Sequence, residues 1–250
     1  MSQLELSLHA IQGIPEIEPG ADLGAEIRRA LQASAFVLRD FDVVVVAHKL
    51  VSKAEGRMVR LADVVPGAQA TEWASEYAKD PRVIEVALRE ARRVVRMEQG
   101  VLITETAHGL ICANSGVDTS NVRPGYAVML PEDPDRSAER LRGALAAFGV
   151  QIAVIVCDTF GRPWREGLVN VAIGVAGLPP LTDYRGTTDS FGRTLHASVI
   201  ATADEIASAA ELVMGKTRRV PVVVVRGLKW TPASASAKEL QRDPAHDLFR

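Results

Sequence analysis

The sequence predicts a mixed α/β fold, one body with two lobes. Three short apolar runs, at 42–47, 151–157 and 221–225, have the length and the valine and isoleucine content of buried strands. Between them, apolar residues recur at the spacing of amphipathic helices, most clearly at 81–95. This alternation of strands and helices is typical of the α/β class.

The N-terminal part contains two predicted strands and one helix. Leucines alternate with polar residues from Leu4 onward, which predicts a half-buried strand that Gly13 closes. Residues 23–35 have helical spacing. Four consecutive valines within 42–47 predict a strand that is buried on both faces.

The middle of the chain adds helices and a hairpin. The amphipathic segment 81–95 predicts a helix, and the apolar stretches 101–106 and 110–114 flank a short turn as in a β-hairpin. Asp133, followed by a proline, is typical of a helix start, and Gly149 is expected to end that helix.

The C-terminal half begins with the predicted strand at 151–157. Residues 168–178 are apolar and interspersed with glycine, so they could be strand or helix. The sequence Thr-Ala-Asp-Glu at 202–205 has the pattern of a capping box, and it predicts a helix that Gly215 closes. The last predicted strand is 221–225.

The composition changes from Thr231 onward, where serine, alanine, proline and charged residues dominate. We expect residues 1–230 to form the folded body. Residues 231–250 are expected to form a tail or linker with a short helix near 238–242.

The composition bounds the class of protein. The chain has 250 residues, of which 47% are hydrophobic, as in soluble globular proteins. A formal net charge of −2 does not favour nucleic acid or an anionic membrane as a partner. Cys112 and Cys157 lie in apolar surroundings without metal-binding spacing, and the start resembles no signal peptide. We therefore expect a cytoplasmic protein.

Two aspartates follow apolar stretches and lie in polar segments, Asp118 within 114–121 and Asp158 within 158–162. Carboxylates at the ends of rigid strands commonly hold a hard divalent cation. Aspartate also serves turns and helix caps, so this pair alone does not distinguish a metal site from two turns.

A second polar cluster follows the valine run directly. It contains His48, Lys49, Ser52 and Lys53. Lysines and a hydroxyl at the end of a buried strand suit phosphate binding. The alternative is an ordinary solvated loop.

Two further polar segments contain arginines that could bind an anionic substrate. Arg162 follows Asp158 in a segment that could also be a strand–turn–helix junction with Trp164 in the core. Arg185 and Arg193 lie in a segment that could instead be a solvated hairpin.

Familiar nucleotide and hydrolase motifs are missing. Gly215-Lys216-Thr217 resembles the end of a P-loop, but Ala210 stands where that motif needs glycine, and the triplet follows a predicted helix instead of opening one. The chain has no G-x-G-x-x-G and no G-x-S-x-G pattern. A Rossmann or P-loop fold is therefore not expected.

The polar clusters together resemble the F420-0:gamma-glutamyl ligase family from Ile11 to about Trp230. The matching blocks, in chain order, are Gly13-Ile14-Pro15-Glu16-Ile17, Val51-Ser52-Lys53-Ala54-Glu55-Gly56-Arg57, Asn114-Ser115-Gly116-Val117-Asp118-Thr119-Ser120-Asn121, Asp158-Thr159-Phe160-Gly161-Arg162-Pro163, Ala203-Asp204-Glu205-Ile206-Ala207 and Val225-Arg226-Gly227. Six ordered blocks make a chance match improbable.

The resemblance implies an enzyme that uses GTP to attach L-glutamate to coenzyme F420-0, and then a gamma-linked glutamate to F420-1. It implies an acyl-phosphate intermediate, a requirement for Mn²⁺ or Mg²⁺, and stimulation by K⁺. It also implies an interlocked homodimer. The fold expected from it is mixed α+β and two-lobed.

The resemblance also assigns roles to residues. Asp118, Asp158 and Lys53 form the implied catalytic set, and Thr159 joins the two aspartates as a metal ligand at a second ion. The residues implied at the GTP site are Ile14, Pro15, Glu16, Ile17, His48, Lys49, Lys53, Asn121, Met214, Gly215, Lys216 and Thr217.

Two positions depart from the family pattern. Some members carry an acidic residue at the position of Lys216, which contributes to the second metal, and a protonated lysine cannot ligate a metal. His48 and Lys49 replace small hydroxyl residues. Two alternatives remain: a ligase or kinase for another carboxylate acceptor, and a non-catalytic nucleotide-binding protein.

Overall fold

The computed structural model describes residues 5–146 and 149–247. The strands are β1 Ser7–Ile11, β2 Val43–Ala47, β3 Met58–Arg60, β4 Ala91–Glu98, β5 Val101–Thr106, β6 Ile111–Ala113, β7 Tyr126–Val128, β8 Ala153–Arg162, β9 Arg165–Ala176, β10 Thr182–Asp183, β11 Val199–Ile200 and β12 Val222–Arg226. The α-helices are α1 Leu23–Ala33, α2 His48–Ala54, α3 Ala68–Glu76, α4 Pro81–Glu90, α5 Pro134–Leu145 and α6 Thr202–Met214. The predicted mixed α/β class is confirmed. Leu4 and residues 248–250, which the predicted first strand and tail include, lie outside the described residues.

The largest sheet has the strand order β1-β12-β2-β8-β9. Only β2 and β8 pair in parallel, and Val44 lies opposite Val154 in that register. The other neighbouring strands are antiparallel. This is not the all-parallel sheet of a Rossmann fold.

Helices cover both faces of this sheet. On one face Val44, Val154 and Val224 pack against α1 and α5. On the other face Val43 and Val225 pack against α6. Because both faces are covered, successive residues of each central strand are buried, which explains the uninterrupted apolar runs of the sequence.

A second lobe has its own hydrophobic cluster. It includes Trp73 of α3, Ile84 of α4, Leu102 of β5 and Ala127 of β7. The antiparallel sheet β4-β5-β6 and the pair β3-β7 belong to this lobe. Within the described residues, no helix is long and apolar enough to cross a membrane.

The predicted start of α5 is capped as expected. The Asp133 carboxylate accepts a hydrogen bond from the Arg136 N–H at 3.0 Å, and a proline occupies the first turn of α5. Asp80 caps α4 in the same way. A carboxylate at this position satisfies N–H groups that have no partner inside the helix.

The predicted helix 81–95 is wrong in its last five residues. The helix ends at Glu90, and Ala91 begins β4, which pairs with β5. The segment Arg-Arg-Val-Val has helical spacing, but its β-branched residues also suit a strand. Pairing with the neighbouring strand decides the outcome, which is a tertiary effect.

The strand predicted at 151–157 extends further in the structure than the sequence indicated. Strand β8 continues through Asp158 to Arg162 and forms a hairpin with β9, so residues 168–178 are mostly strand. The strand–turn–helix junction is therefore wrong. Trp164 lies at the hairpin tip with 77% of its surface exposed, not in the core.

The capping box predicted at 202–205 does not form. Thr202 is the first helical residue of α6, and its hydroxyl bonds that of Thr182 at 2.5 Å. The Asp204 carboxylate accepts a hydrogen bond from the Ala172 N–H at 2.8 Å, so it fastens the helix to β9. Gly215 ends the helix as predicted.

The segment after Thr231 contacts the body. Ala233 pairs with Gly177, and Ala237 is buried at the start of a short 3-10 helix, Ala237–Leu240. The Ser236 hydroxyl donates a hydrogen bond to Asp135 at 2.6 Å.

Two glycines test the packing of α5 on the sheet. A Cβ atom at Gly174 of β9 would lie 2.3 Å from the Pro134 carbonyl oxygen, whereas one at Gly143 of α5 would meet nothing within 4 Å. We expect Gly174→Ala to lower the free energy of unfolding by about 1–3 kcal/mol because backbone must shift. Gly143→Ala, the matched control, should raise it by about 0.5–1 kcal/mol. Urea unfolding measures both, and equal stability of the two variants would contradict this packing.

Candidate active site

The site is built where β2 passes into a helix. Residues 48–54 form α2, so the alternative of a solvated loop is wrong. His48, Ser52 and Lys53 are buried, and His48 is only 2% exposed. Polar side chains in such a position need partners, because an unpaired buried polar group costs free energy.

The parallel register of β2 and β8 pairs Ala47 with Cys157. The next residues on the two strands, His48 and Asp158, therefore come side by side. The His48 Nε2 lies 3.2 Å from the Asp158 Oδ1, and the Thr159 N–H donates to the same oxygen at 2.6 Å. This carboxylate is fixed by both contacts.

The second carboxylate is held by the next residue of α2. The Lys49 Nζ donates to the Asp118 Oδ2 at 2.5 Å, to the Ser120 carbonyl oxygen at 2.9 Å and to the Ser120 hydroxyl at 2.7 Å. The Asp118 backbone exchanges two hydrogen bonds with Val128, at 3.0 and 2.8 Å. Two consecutive residues of α2 thus hold the two carboxylates: His48 contacts Asp158, and Lys49 contacts Asp118.

The loop that carries Asp118 is anchored to the second lobe. The Ser115 hydroxyl is buried, where it bonds the Thr104 hydroxyl at 2.8 Å and the Ala87 carbonyl at 2.6 Å. Gly116 has a φ of 72°, and a Cβ there would lie 2.6 Å from the Leu130 Cγ. Only glycine fits this turn without strain.

Lys53 joins two more segments. Its Nζ donates to the carboxylate of Glu16 and to the Asn121 carbonyl oxygen, the latter at 2.8 Å. Ile14 is half-buried, Pro15 is exposed and Ile17 is buried in the core beside α1. The segments implied at a GTP site, 14–17 and 114–121, therefore meet at one lysine.

The environment keeps both aspartates ionised. Burial by itself would raise the pKa of Asp118, but hydrogen bonds from Lys49 and Ser120 and the charge of Lys49 hold the pKa below its ordinary value. Burial likewise opposes ionisation of Asp158. The electrostatic interaction and the hydrogen bond with His48, together with the Thr159 N–H, lower the pKa of Asp158.

A third group of contacts surrounds Thr159. The Thr159 hydroxyl donates to the Asn170 Oδ1 at 2.7 Å and accepts a hydrogen bond from the Lys216 Nζ. The Asn170 Nδ2 donates to the Glu211 Oε2 at 3.1 Å. Sequence reasoning missed both Asn170 and Glu211. The signal available was Asn170 itself, a single amide inside the apolar run 168–178.

The end of α6 brings Lys216 to this group. Met214 is buried against the sheet, and Gly215 has a φ of 56° where the helix ends. Thr217 is exposed. Of the four residues that the resemblance implies here, Lys216 bonds the Thr159 hydroxyl and Met214 contacts the Asn170 amide through its sulfur.

Two of the three candidate substrate arginines are engaged elsewhere, and the third is exposed. Arg162 folds back on the carbonyl oxygens of its own hairpin turn. Arg185 pairs with Asp183 at 2.6 Å, and Arg193 lies on the exposed surface of the same segment. Contacts within the described residues do not link these arginines to Asp118 or Asp158.

The oxygen donors of this region suit a hard divalent ion. Within the described residues, no group of three or more histidine, cysteine or acidic side chains forms a complete cage. Mg²⁺ is commonly held by one or two carboxylates, with water and substrate phosphates completing its shell. Asp118 and Asp158 fit that mode of binding.

The sequence similarity covers all of these residues. A family model described as F420-0:Gamma-glutamyl ligase matches residues 12–227. A protein of Methanopyrus kandleri named coenzyme F420:L-glutamate ligase is 46% identical over 94% of this chain and 94% of its own length. Proteins with the same name are 43% identical in Methanothermobacter thermautotrophicus, over 98% of this chain and 99% of the relative, and 40% identical in Methanocaldococcus jannaschii, over 91% and 92%.

These matches confirm the resemblance that the six sequence blocks indicate. The matched range includes α2, both aspartates, and the segment around Lys216. The chain belongs to the F420-0:gamma-glutamyl ligase family.

Proposed function

We propose that this protein is a GTP-dependent ligase that attaches L-glutamate to coenzyme F420-0 and then a gamma-linked glutamate to F420-1. The names of its relatives support the ligase and its substrates. One observation supports the chemistry: two ionised carboxylates are held by consecutive residues of α2, with two further lysines close by.

The reaction must first activate a poor acyl donor. A carboxylate oxygen of the acceptor attacks the γ-phosphorus of GTP, the bond to the bridging oxygen breaks, and GDP leaves. The glutamate amine then attacks the acyl carbon, loses a proton and displaces phosphate. Both steps bring anions together, so the protein must supply positive charge and alignment.

The residues of this chain suit those tasks. Asp118 and Asp158 would hold Mn²⁺ or Mg²⁺, which when bound neutralises phosphate charge. Lys53 is buried next to Asn121 and would contact GTP phosphates from the floor of the site. His48 positions Asp158 through its ring nitrogen.

The proposed GTP site comprises the segments that meet around α2. Lys53 joins Glu16 to Asn121, Lys49 reaches Ser120, and Lys216 reaches Thr159. Three lysines, two on α2 and one after α6, would thereby face one nucleotide. Arg162, Arg185 and Arg193 are proposed to bind the acceptor, for which Arg162 and Arg185 would have to leave their present contacts.

We also propose a homodimer. Apolar side chains are exposed at two hairpins, Val94 and Val95 on β4 and Leu168 on β9, and Phe191 is exposed in the loop between β10 and β11. Exposed apolar groups of this kind often mark protein–protein contacts.

If the protein is a dimer, light scattering should give a particle mass of twice the 26.9 kDa of one chain. We expect Leu168→Asp to shift it toward the monomer, because a charge would be buried in an apolar contact. Leu212→Asp, at an exposed leucine of α6, is the control and should stay dimeric. A monomeric wild-type protein would contradict the proposal.

Activity is tested with GTP, Mn²⁺, L-glutamate and F420-0. We expect GDP release and a deazaflavin heavier by one or two glutamyl units in mass spectrometry. Asp158→Asn should lower the rate by about 10²–10³-fold, since transition-state charge loses its stabilisation. Asp63→Asn, at an exposed aspartate of the second lobe, should leave the rate unchanged.

The alternatives are outcomes of the same assay. Folded protein that binds GTP and glutamylates another carboxylate, but not F420-0, would indicate a ligase for a different acceptor. Binding of GTP with no turnover on any acceptor would indicate a non-catalytic nucleotide-binding protein.

Lys49 competes with a metal ion for Asp118. Removing its charge with Lys49→Met should tighten Mn²⁺ binding to the nucleotide-free protein by about tenfold, the equivalent of about 1.4 kcal/mol. Titration calorimetry with Mn²⁺ measures this. Unchanged or weaker binding would show that Asp118 is not a ligand.

A further inference from the structure

The ammonium group of Lys216 occupies a position that oxygen atoms surround. Its Nζ bonds the Thr159 hydroxyl oxygen and lies 3.7 Å from the Glu211 Oε1. Thr159 follows Asp158 directly in β8, and Glu211 lies in α6.

Asn170 orients both of these oxygen-bearing side chains through hydrogen bonds. Its side chain is buried in β9 and 3% exposed. The Asn170 Oδ1 accepts a hydrogen bond from the Thr159 hydroxyl at 2.7 Å, so the lone pairs of that hydroxyl are left for the ammonium. The Asn170 Nδ2 holds the Glu211 carboxylate through its other oxygen, Oε2, at 3.1 Å. A hydroxyl that can only accept and a carboxylate held in place form a cation subsite.

The subsite is coupled to the first carboxylate. The Thr159 N–H donates to the Asp158 Oδ1 at 2.6 Å, so the residue that binds the ammonium also orients the proposed metal ligand. A protonated lysine cannot act as a metal ligand, and its charge repels a second cation at short distance.

We propose that Lys216 is a cation tethered to the chain, filling a subsite formed by Thr159, Asn170 and Glu211. The protein then binds one divalent ion, at Asp118 and Asp158, and its nucleotide binding needs no K⁺. The inference rests on the proposed function for the role of this charge beside phosphates, but not for the occupancy of the subsite.

The alternative is an incidental surface contact. Lys216 is 59% exposed, and exposed ion pairs contribute little to stability. The cation subsite and the incidental contact differ in how the protein binds soluble cations once the Lys216 ammonium is removed. A built subsite accepts a soluble cation in its place, whereas an incidental contact leaves cation binding unchanged.

The test counts Mn²⁺ ions bound to the purified full-length protein by electron paramagnetic resonance, without nucleotide. The variants are Lys216→Met and, as a matched control, Lys229→Met at an exposed lysine near the end of β12. We expect one ion in the wild-type protein and in the control, and two in Lys216→Met. Two ions in the wild-type protein, or one in Lys216→Met, would overturn the proposal.

A second measurement follows GDP binding in K⁺, NH₄⁺ or tetramethylammonium buffers. The wild-type affinity should be the same in all three. Lys216→Met should bind GDP about tenfold more tightly in K⁺ or NH₄⁺ than in tetramethylammonium, since only small cations enter the subsite. Equal GDP affinities of Lys216→Met in the three buffers would contradict the inference. Wild-type protein that binds no GDP would contradict the proposed function alone, because the ion count does not depend on nucleotide.

Discussion

The parallel pairing of β2 with β8 is the constraint on which the site depends. It places Ala47 opposite Cys157, and the residues that follow, His48 and Asp158, leave the pair together. The two strands are buried on both faces, so a shift in their register would expose apolar side chains and is strongly disfavoured. The position of Asp158 relative to α2 is therefore set by the hydrophobic core and not by the loops.

Helix α2 places a histidine and two lysines, His48, Lys49 and Lys53, next to the end of β8. His48 reaches the end of β8, Lys49 reaches the loop after β6, and Lys53 reaches both that loop and the segment before α1. Cationic side chains in a partly buried place are stable only when acidic or carbonyl groups pair with them. Asp158 pairs with His48, Asp118 with Lys49, and Glu16 with Lys53. The first two of these contacts lower the pKa of both aspartates.

Sequence patterns predicted the buried strands and the capped start of α5, and they singled out Asp118 and Asp158 as candidate metal ligands, because these features are visible in local composition. Four features depend on contacts distant in sequence, and patterns missed them. Segment 91–95 is strand because it pairs with β5, and β8 continues past Asp158 because β9 pairs with it. Asn170 and Glu211 looked like ordinary strand and helix residues, and only the fold brings them to Thr159.

We propose that Asp118 and Asp158 share one divalent ion once Lys49 withdraws from Asp118. Anomalous scattering from crystals grown with Mn²⁺ and GDP tests it directly. The account predicts one strong manganese peak in contact with both carboxylates, and a Lys49 ammonium that has moved away from Asp118. A manganese peak elsewhere, or a Lys49 ammonium still bonded to Asp118 beside a bound nucleotide, would contradict it.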